Sequence, residues 1–273
     1  MNDGTTQSLA QSKAQSKAEA VGCRTRFAGL AAPGMPAERL ARLAQALGLA
    51  PVAEPAGPAA LAVLLTGSDP GRNADELWLP PVAAWIEPPD GSDAAGLVPL
   101  LTEAAGNDLY LNLTTATAHD LQLGGRLLAA LNARHRLDGD RRDDLELALH
   151  EAVSNALVHG NLGVSGMKEL SAQELERFSR DLGDRLADPT LAARRIVIAL
   201  RIDPAEDGPA QDGRAQDGRA LATVEVTDEG EGFTPGPRTS SGASGRGLDL
   251  IGNIAEELEI ANGGRSIRLR FRL

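Results

Sequence analysis

Three polar side chains stand at intervals of four in a segment whose other side is apolar. In residues 143–160 they are Glu151, Asn155 and His159. An α-helix turns by about 100° per residue, so Asn155 lies about 40° and His159 about 80° from Glu151. The apolar side chains fall about 120° to 240° away, where they would pack on a sheet; they are Leu145, Leu149, Val153, Ala156 and Leu157. The segment predicts a helix whose polar edge aligns a carboxylate, an amide and an imidazole, either in a site or facing solvent.

A second group follows the predicted strand 222–227, where residues 228–232 read Asp-Glu-Gly-Glu-Gly. Glycines permit a positive φ and close approach of the backbone to a ligand. The Asp228 carboxylate at the end of the strand can accept a hydrogen bond from an exocyclic amine. Adenine has such an amine at N6, whereas guanine has a carbonyl there. The alternative interpretation is a plain Asp-Xaa-Gly turn.

A third group begins a predicted helix, where residues 244–251 read Ser-Gly-Arg-Gly-Leu-Asp-Leu-Ile. The first amides of a helix are unpaired and its dipole favours an anion, so this start predicts a phosphate-binding site. Between the second and third groups, residues 239–243 are small and polar. We expect them to be mobile and able to close over a bound molecule.

The composition narrows the class of protein that carries these groups. The chain has 273 residues, of which 42% are hydrophobic and 3% aromatic, and its net charge of −11 argues against nucleic-acid binding. The single cysteine, Cys23, excludes an intrachain disulfide and a Cys-rich zinc site. No apolar run predicts a membrane span, and residues 1–20 show no signal-peptide core. We expect a cytoplasmic protein.

The first hundred residues predict a tail and a small α/β domain. Residues 1–25 are polar and contain a Gln-Ser-Lys-Ala repeat, which predicts disorder. Residues 26–105 predict the order strand, helix, strand, strand, strand, helix, which favours a parallel sheet. The clearest elements of this domain are two helices, at 36–47 and 93–105, and two strands, at 61–65 and 82–86.

Residues 108–273 predict a second, larger domain that must position the three groups. The predicted helices are 119–131, 143–160 with Gly160 as its stop signal, 171–186 and 247–257. The predicted strands are 109–113, 195–202, 222–227 and 266–273. The duplicated Ala-Gln-Asp-Gly-Arg of residues 210–219 is interpreted as an expanded hairpin loop.

Together, the three groups resemble the ATP-binding fold shared by gyrase and the sensor histidine kinases. Within it, residues 108–273 are most similar to the anti-sigma-factor serine/threonine kinases. Residues 151–159 resemble the N box of that family, residues 228–233 its first glycine box and residues 245–248 its second. The resemblance implies an α/β fold, in which a two-layer α/β sandwich of the histidine-kinase-like ATPase type follows the small N-terminal domain.

The resemblance implies a role for each residue at the phosphate end of bound ATP. Asn155 would give its side-chain oxygen to Mg²⁺, which prefers oxygen ligands and retains waters. Glu151 would be the general base that takes the proton of an attacking hydroxyl, from a protein serine or from water. His159 would lie near the phosphates or cap the end of the helix, two alternatives that stay open.

For the rest of the nucleotide, the resemblance implies a second set of contacts. Asp228 would bind the adenine amine, and Gly230 and Gly232 would let the backbone approach and hinge a lid. The second glycine box would present amides to the phosphates, with added charge from its arginine; its members are Gly245, Arg246, Gly247 and Leu248.

Two features set the chain apart from the smallest kinases of this type and from complete histidine kinases. Residues 162–193 form a longer insert, similar to that of relatives joined to regulatory domains. No helical hairpin with a phosphoacceptor histidine precedes the domain, because His119 and Asp120 start a helix inside it. A complete sensor histidine kinase is therefore not expected.

Residues 26–105 resemble, more faintly, a flavodoxin-like receiver domain that has lost its phosphorylation site. Glu87 stands before Pro88 where a receiver has lysine, and Thr66 and Gly67 stand where it has the phosphorylated aspartate. Asp69 lies too far along to replace that aspartate. The acidic pair expected after the first strand is missing from residues 31–33. The resemblance implies a protein-binding module; the alternative is an unrelated α/β domain.

These observations predict a regulatory kinase that binds ATP and Mg²⁺ and phosphorylates a serine of an antagonist protein, acting as a partner switch. A sigma factor is a second expected partner, and a homodimer is one compatible assembly; neither nucleic acid nor membrane is expected. One alternative is a non-catalytic ATP-binding module that captures a partner. The other is the detached catalytic domain of a two-component histidine kinase.

Overall fold

The computed structural model describes residues 26–66, 75–167, 169, 171–203, 220–233 and 246–273. The chain divides into two units, Met1–Leu111 and Asn112–Leu273. Several predictions lie outside the described residues: the tail at 1–25, the duplicated loop at 210–219, the closing segment at 239–243, and the positions Gly67, Asp69 and Gly245.

The first unit contains a parallel sheet with two helices. Its elements are β1 (Gly29–Ala31), α1 (Ala37–Leu47), β2 (Ala50–Val52), β3 (Leu61–Leu64), a 3₁₀ turn (Asp75–Trp78), β4 (Val82–Ile86) and α2 (Ala94–Ala105). The strands lie in the order β2-β1-β3-β4, with parallel pairing throughout. The predicted element order and the parallel sheet are confirmed. The strand order matches the start of a flavodoxin-like sheet; the likeness to a receiver stays a prediction.

Burial on both faces explains the unbroken apolar strands of this unit. Every residue of β3 and β4 is buried, as expected for strands covered on both sides. Local signals set the helix ends. Gly48 ends α1 with a left-handed φ of 71°, and the Asp93 side chain accepts a hydrogen bond from the Gly96 N–H at the start of α2.

The second unit places helices on an antiparallel sheet. Its helices are α3 (Thr115–Asp120), α4 (Leu123–Asn132), α5 (Gly139–Ser154), a π-helical segment (Asn155–Asn161), α6 (Ala172–Leu186), α7 (Pro189–Ala192) and α8 (Arg246–Ile254). Its strands are β6 (Arg195–Asp203), β7 (Leu221–Asp228), β8 (Glu257–Ala261) and β9 (Ser266–Arg272), in the order β6-β7-β9-β8. A 3₁₀ turn (Asn262–Gly264) joins β8 to β9, and β5 (Leu109–Thr114) contains the boundary between the units.

Alternation along the strands separates the two layers of this unit. In β6 and β7 every second residue is buried, and these are Ile196, Ile198, Leu200, Ala222, Val224 and Val226. The helix α5 contributes its own buried stripe, Leu145, Ala148, Leu149, Ala152 and Val153, and packs against α4 and α8. The predicted two-layer α/β class is therefore observed.

Two predicted helices have different limits in the structure. The segment predicted as one helix at 119–131 is two helices, because Gln122 takes a left-handed φ of 50° between them. The helix predicted at 247–257 ends at Ile254, and the strand β8, which the prediction missed, follows it. Cross-strand ion pairs connect β8 to β9: Arg268 lies 2.9 Å from Glu259, and Arg270 lies 2.8 Å from Glu257. These contacts join residues 9 and 13 positions apart.

The helix that carries Glu151 changes its geometry at Asn155. Its α-helical part, α5, ends at Ser154, and residues 155–161 form a π-helix. Gly160 lies inside that segment, so its assignment as the stop signal is wrong. The segment closes through the Leu162 N–H, which donates to the Leu157 carbonyl at 2.9 Å, and Gly163 follows with a left-handed φ of 62°. Each turn of a π-helix contains one more residue than a turn of an α-helix. The helix therefore continues past Gly160, although a glycine commonly marks a helix end.

Candidate functional site

Glu151 and Asn155 are joined by a hydrogen bond one helical turn apart. The Asn155 Nδ2 donates to the Glu151 Oε1 at 3.2 Å, and both side chains are half-buried. In the part of the chain that the structure describes, the Asn155 Oδ1 and the Glu151 Oε2 have no hydrogen-bond partner. The arrangement leaves one amide oxygen available to a cation and one carboxylate oxygen available to a proton.

The start of helix α8 lies directly against Glu151. A Cβ atom placed on Gly247 would lie 2.5 Å from the Glu151 Cδ, closer than real contacts allow. Only glycine therefore fits here without moving the carboxylate. Leu248 is half-buried in the first turn of the same helix. Arg246 begins the helix, and its side chain and Gly245 lie outside the described residues. The N-box helix and the second glycine box thus meet at Glu151.

Asp228 ends strand β7 and packs on the backbone of Gly160. Its Oδ1 accepts a hydrogen bond from the Gly230 N–H at 2.8 Å, and its own N–H donates to the Arg265 carbonyl at 2.9 Å. A Cβ on Gly160 would lie 2.5 Å from the Asp228 Cγ and 2.6 and 2.7 Å from its two oxygens. The absence of a side chain at Gly160 therefore creates the space that Asp228 occupies.

Burial raises the pKa of the Asp228 carboxyl above its ordinary value. The hydrogen bond from Gly230 and the charges of Arg265 and Arg194 act in the opposite direction and leave a net rise. The folded protein thus holds the proton of this carboxyl more tightly than the unfolded chain does. Its contribution to stability is present below the ordinary pKa and is lost as the pH rises through the raised pKa.

We expect the substitution Asp228→Asn to leave the nucleotide-free protein at least as stable as the parent at pH 7. Asparagine keeps an oxygen for the Gly230 N–H and removes the buried charge. The difference in melting temperature should shrink as the pH falls toward 3.8, the ordinary pKa of the side chain. Thermal melts of both proteins between pH 7 and pH 4 measure it. A variant that is less stable by the same margin at every pH would contradict this account.

The remaining residues of the first glycine box adopt a tight loop after Asp228. A Cβ on Gly230 would lie 2.5 Å from the Gly160 carbonyl carbon, so the two glycine backbones are in direct contact. Gly232 has a φ of 75°, in the left-handed region that glycine adopts without strain. The loop therefore packs on the end of the π-helical segment at a position where a side chain on residue 230 would not fit.

His159 is held by the chain segment that follows it. Its Nδ1 lies 2.6 Å from the Val164 carbonyl oxygen, and the residue is exposed. The angle of about 80° from Glu151 assumed an α-helix, and it does not apply because the turn from Asn155 onward is π-helical. The contact to Val164 ties down the helix end, which is one of the two predicted alternatives. The phosphate contact stays a prediction.

Asn161, which the sequence did not single out, connects the glycine box to three other elements. Its Oδ1 accepts from the Glu229 N–H at 2.8 Å, and its Nδ2 donates to the Thr115 Oγ1 at 2.8 Å and the Arg195 carbonyl at 2.9 Å. Its own carbonyl accepts from the Arg194 Nη1 at 2.6 Å. These side-chain partners are 34 to 68 residues away. No local spacing could reveal them.

The residues present fit an adenine nucleotide with a magnesium ion. Within the described residues, the Asp228 Oδ2 has no hydrogen-bond partner and can accept from an amine. The Asn155 Oδ1 is the kind of oxygen that a hard cation binds. The helix α8 begins beside Glu151, and the start of a helix is where anions such as phosphates bind. At one end of the site, the Asp228 oxygen therefore suits the adenine amine. At the other end, the Asn155 oxygen and the start of α8 suit Mg²⁺ and the charged phosphates.

Comparison with known proteins agrees with this arrangement. Residues 114–271 match the histidine kinase-like ATPase domain family, whose members bind ATP, typically with Mg²⁺. No curated protein matches the chain. Over the described ranges, no helix is both long and apolar enough to cross a membrane. Since the matched region spans more than half of the chain and contains both of the site's helices and the Asp228 loop, the protein belongs to the histidine kinase-like ATPase family.

Proposed function

We propose that this protein is a regulatory protein-serine/threonine kinase of the anti-sigma-factor type. The observation that carries the proposal is the Glu151 carboxylate, which one hydrogen bond holds beside Asn155. A serine hydroxyl is a weak nucleophile and needs a base in the transition state, whereas binding ATP alone does not. A histidine nucleophile has less need of such a base, so the carboxylate favours a hydroxyl acceptor.

In the proposed reaction, the serine oxygen of a partner protein bonds to the γ-phosphorus while the bond to the β–γ bridging oxygen breaks. The serine proton moves to the Glu151 Oε2, which has no other partner among the described residues, and ADP leaves. The Asn155 Nδ2 orients the carboxylate through its Oε1. The Asn155 Oδ1 would hold Mg²⁺, which supplies charge neutralisation at the phosphates when bound.

The partner in this proposal is an antagonist protein, with a sigma factor as the second protein that the kinase captures. The first unit, with its parallel sheet and its likeness to a receiver without a phosphorylation site, would serve as a protein-binding module. Regulation would then pass through protein contacts. A non-catalytic capture module would use the same nucleotide contacts without needing Glu151 as a base.

The experiment is incubation of the full chain with Mg²⁺, γ-labelled ATP and candidate antagonist proteins encoded beside its gene. We expect the label on a serine or threonine of one of them, identified by mass spectrometry of the labelled protein. Acid-labile label on histidine would instead identify a histidine kinase catalytic domain. Tight binding of ATP and of an antagonist without any transfer would identify a capture module.

A further inference from the structure

Asn161 is a fully buried amide at the end of the π-helical segment, with 0% of its surface exposed. It lies next to Gly160 in the chain, and Gly160 is the residue on which the Asp228 carboxylate packs. Through its Oδ1 it also holds the N–H of Glu229, the residue that follows Asp228. Two consecutive residues therefore contact two consecutive residues of the loop. Gly160 packs against the Asp228 side chain, and Asn161 accepts a hydrogen bond from the Glu229 N–H.

The other contacts of Asn161 fix its own position. Its Nδ2 donates both of its hydrogens, to the Thr115 Oγ1 and to the Arg195 carbonyl. Thr115 is itself fully buried and donates to the Arg194 carbonyl at 2.9 Å. The Glu229 carboxylate binds the same residue, Arg195, because its Oε2 accepts a hydrogen bond from the Arg195 N–H at 2.7 Å. The start of α3, the start of β6 and the Asp228 loop are thus tied to one side chain.

Only an asparagine satisfies all of these groups. The position requires two donors and one acceptor on a short planar side chain. Aspartate has no donor and would place a charge beside the Arg195 carbonyl, and an aliphatic residue would remove the acceptor of the Glu229 N–H and both donors to Thr115 and Arg195. The hydrogen bond to Glu229 N–H fixes the peptide that leaves Asp228, and this constrains the direction of its carboxylate.

We propose that Asn161 is the positioning residue of the Asp228 carboxylate and so sets the preference for a 6-aminopurine over a 6-oxopurine nucleotide. The inference rests on the proposed binding of adenine by Asp228. Asn161 does not touch the base itself. It acts by holding residue 229 while Gly160 provides the space for residue 228, so that the free Oδ2 of Asp228 stays in one direction.

The test compares the binding of ATP and ITP, which carries a carbonyl in place of the N6 amine. The full-length parent should prefer ATP by about a hundredfold or more, since a site built around an amine rejects an analogue without it. In Asn161→Ala we expect the Kd for ATP to rise about tenfold, the size of one misplaced charged hydrogen bond. The Kd for ITP should change less than about twofold, so the preference collapses. Thr115→Val, which removes one anchor of Asn161, should move the ratio in the same direction by a smaller factor.

A structural role alone would lower stability without changing the ratio of the two dissociation constants. Val224→Ala, a cavity in the same sheet away from Asp228, is the control for lost stability and should keep the parental ratio. If Asn161→Ala and Thr115→Val also keep it, the positioning role is wrong. When Asn161→Ala does not fold, Thr115→Val decides the outcome.

Asp228→Asn tests the adenine contact on which this inference rests, whereas the labelling experiment tests the proposed kinase. If that variant keeps the parental preference for ATP, adenine is bound by another group, and both the adenine contact of Asp228 and the role of Asn161 are overturned. If Asp228→Asn loses the preference and the Asn161 and Thr115 variants keep it, only the role of Asn161 is overturned. Loss of the preference in all three variants supports the inference.

Discussion

Replacement of Glu151 by glutamine should lower phosphate transfer to the acceptor serine by about 10²- to 10⁴-fold, the contribution of a positioned general base. Glutamine has nearly the same shape and can still accept a hydrogen bond from the Asn155 Nδ2 through its oxygen. It cannot take up the serine proton. The affinity for ATP should therefore stay within about threefold of the parent. The lost contact forms only in the transition state, so its removal does not weaken the binding of ATP in the ground state.

The measurement is the initial rate of labelling at saturating ATP and antagonist, together with the Kd for ATP by calorimetry. Asp144→Asn is the matched control, because Asp144 is an exposed carboxylate on the same helix α5. It should leave both quantities unchanged. Labelling that survives in Glu151→Gln would remove Glu151 as the base. Loss of ATP affinity in the same proportion as the rate would assign it to nucleotide binding.

Gly160→Ala should lower the affinity for ATP by about tenfold or more and destabilise the fold by about 1–3 kcal/mol. The new Cβ would lie 2.5 to 2.7 Å from the three carboxyl atoms of Asp228, so that carboxylate must move. The backbone of Gly230 packs on the same residue, so the contact is tight on that side as well. The affinity falls because the displaced carboxylate no longer meets the N6 amine, and the stability falls because a packed contact is strained.

Gly183→Ala is the control for this change, since a Cβ on Gly183 in the exposed helix α6 has no atom within 4 Å. It should stabilise the protein by about 0.5–1 kcal/mol, the ordinary helix preference of alanine, and leave ATP binding alone. Melting temperatures and ATP calorimetry on the three proteins measure both effects. A Gly160→Ala protein with parental stability and affinity would show that the Asp228 carboxylate is not confined as described.

The different effects of Glu151→Gln and Gly160→Ala on rate and on ATP binding also distinguish the two ends of the site. Glu151→Gln should reduce the rate with little effect on binding, whereas Gly160→Ala should reduce binding of ATP more than of ITP. The helix that carries Glu151 and the loop that carries Asp228 meet through the π-helical segment. A change at Gly160 that also abolished transfer at saturating ATP would indicate that the segment couples the two ends.

Local sequence patterns were sufficient for most elements of the second unit. The alternation of buried residues in β6 and β7, and the apolar stripe of α5, follow from the period of each element. The N-cap at Ser171 set the start of α6 in the same way. These features depend on neighbours within a few residues, so the sequence alone determined them. It also placed Glu151 next to Asn155, because one α-helical turn separates them.

The order of the three motifs along the chain likewise identified the family, which the match at residues 114–271 confirmed. The receiver likeness of the first unit and the roles of the site residues stay predictions. The order of strands and helices in residues 26–105 also predicts the parallel sheet that the first unit contains.

The tertiary structure decided what distant residues do to one another. The sequence pattern predicts Gly160 as a helix stop, but the structure shows that a glycine is needed there to make room for Asp228, 68 residues later. Asn161 joins four segments through partners that no spacing predicts. The sequence pattern did not predict the strand β8, whose ion pairs with β9 join residues 9 and 13 positions apart. Helical period and caps are short-range and can be read from a few residues, whereas the close contact of two backbones and the satisfaction of a buried amide exist only once the fold has brought them together.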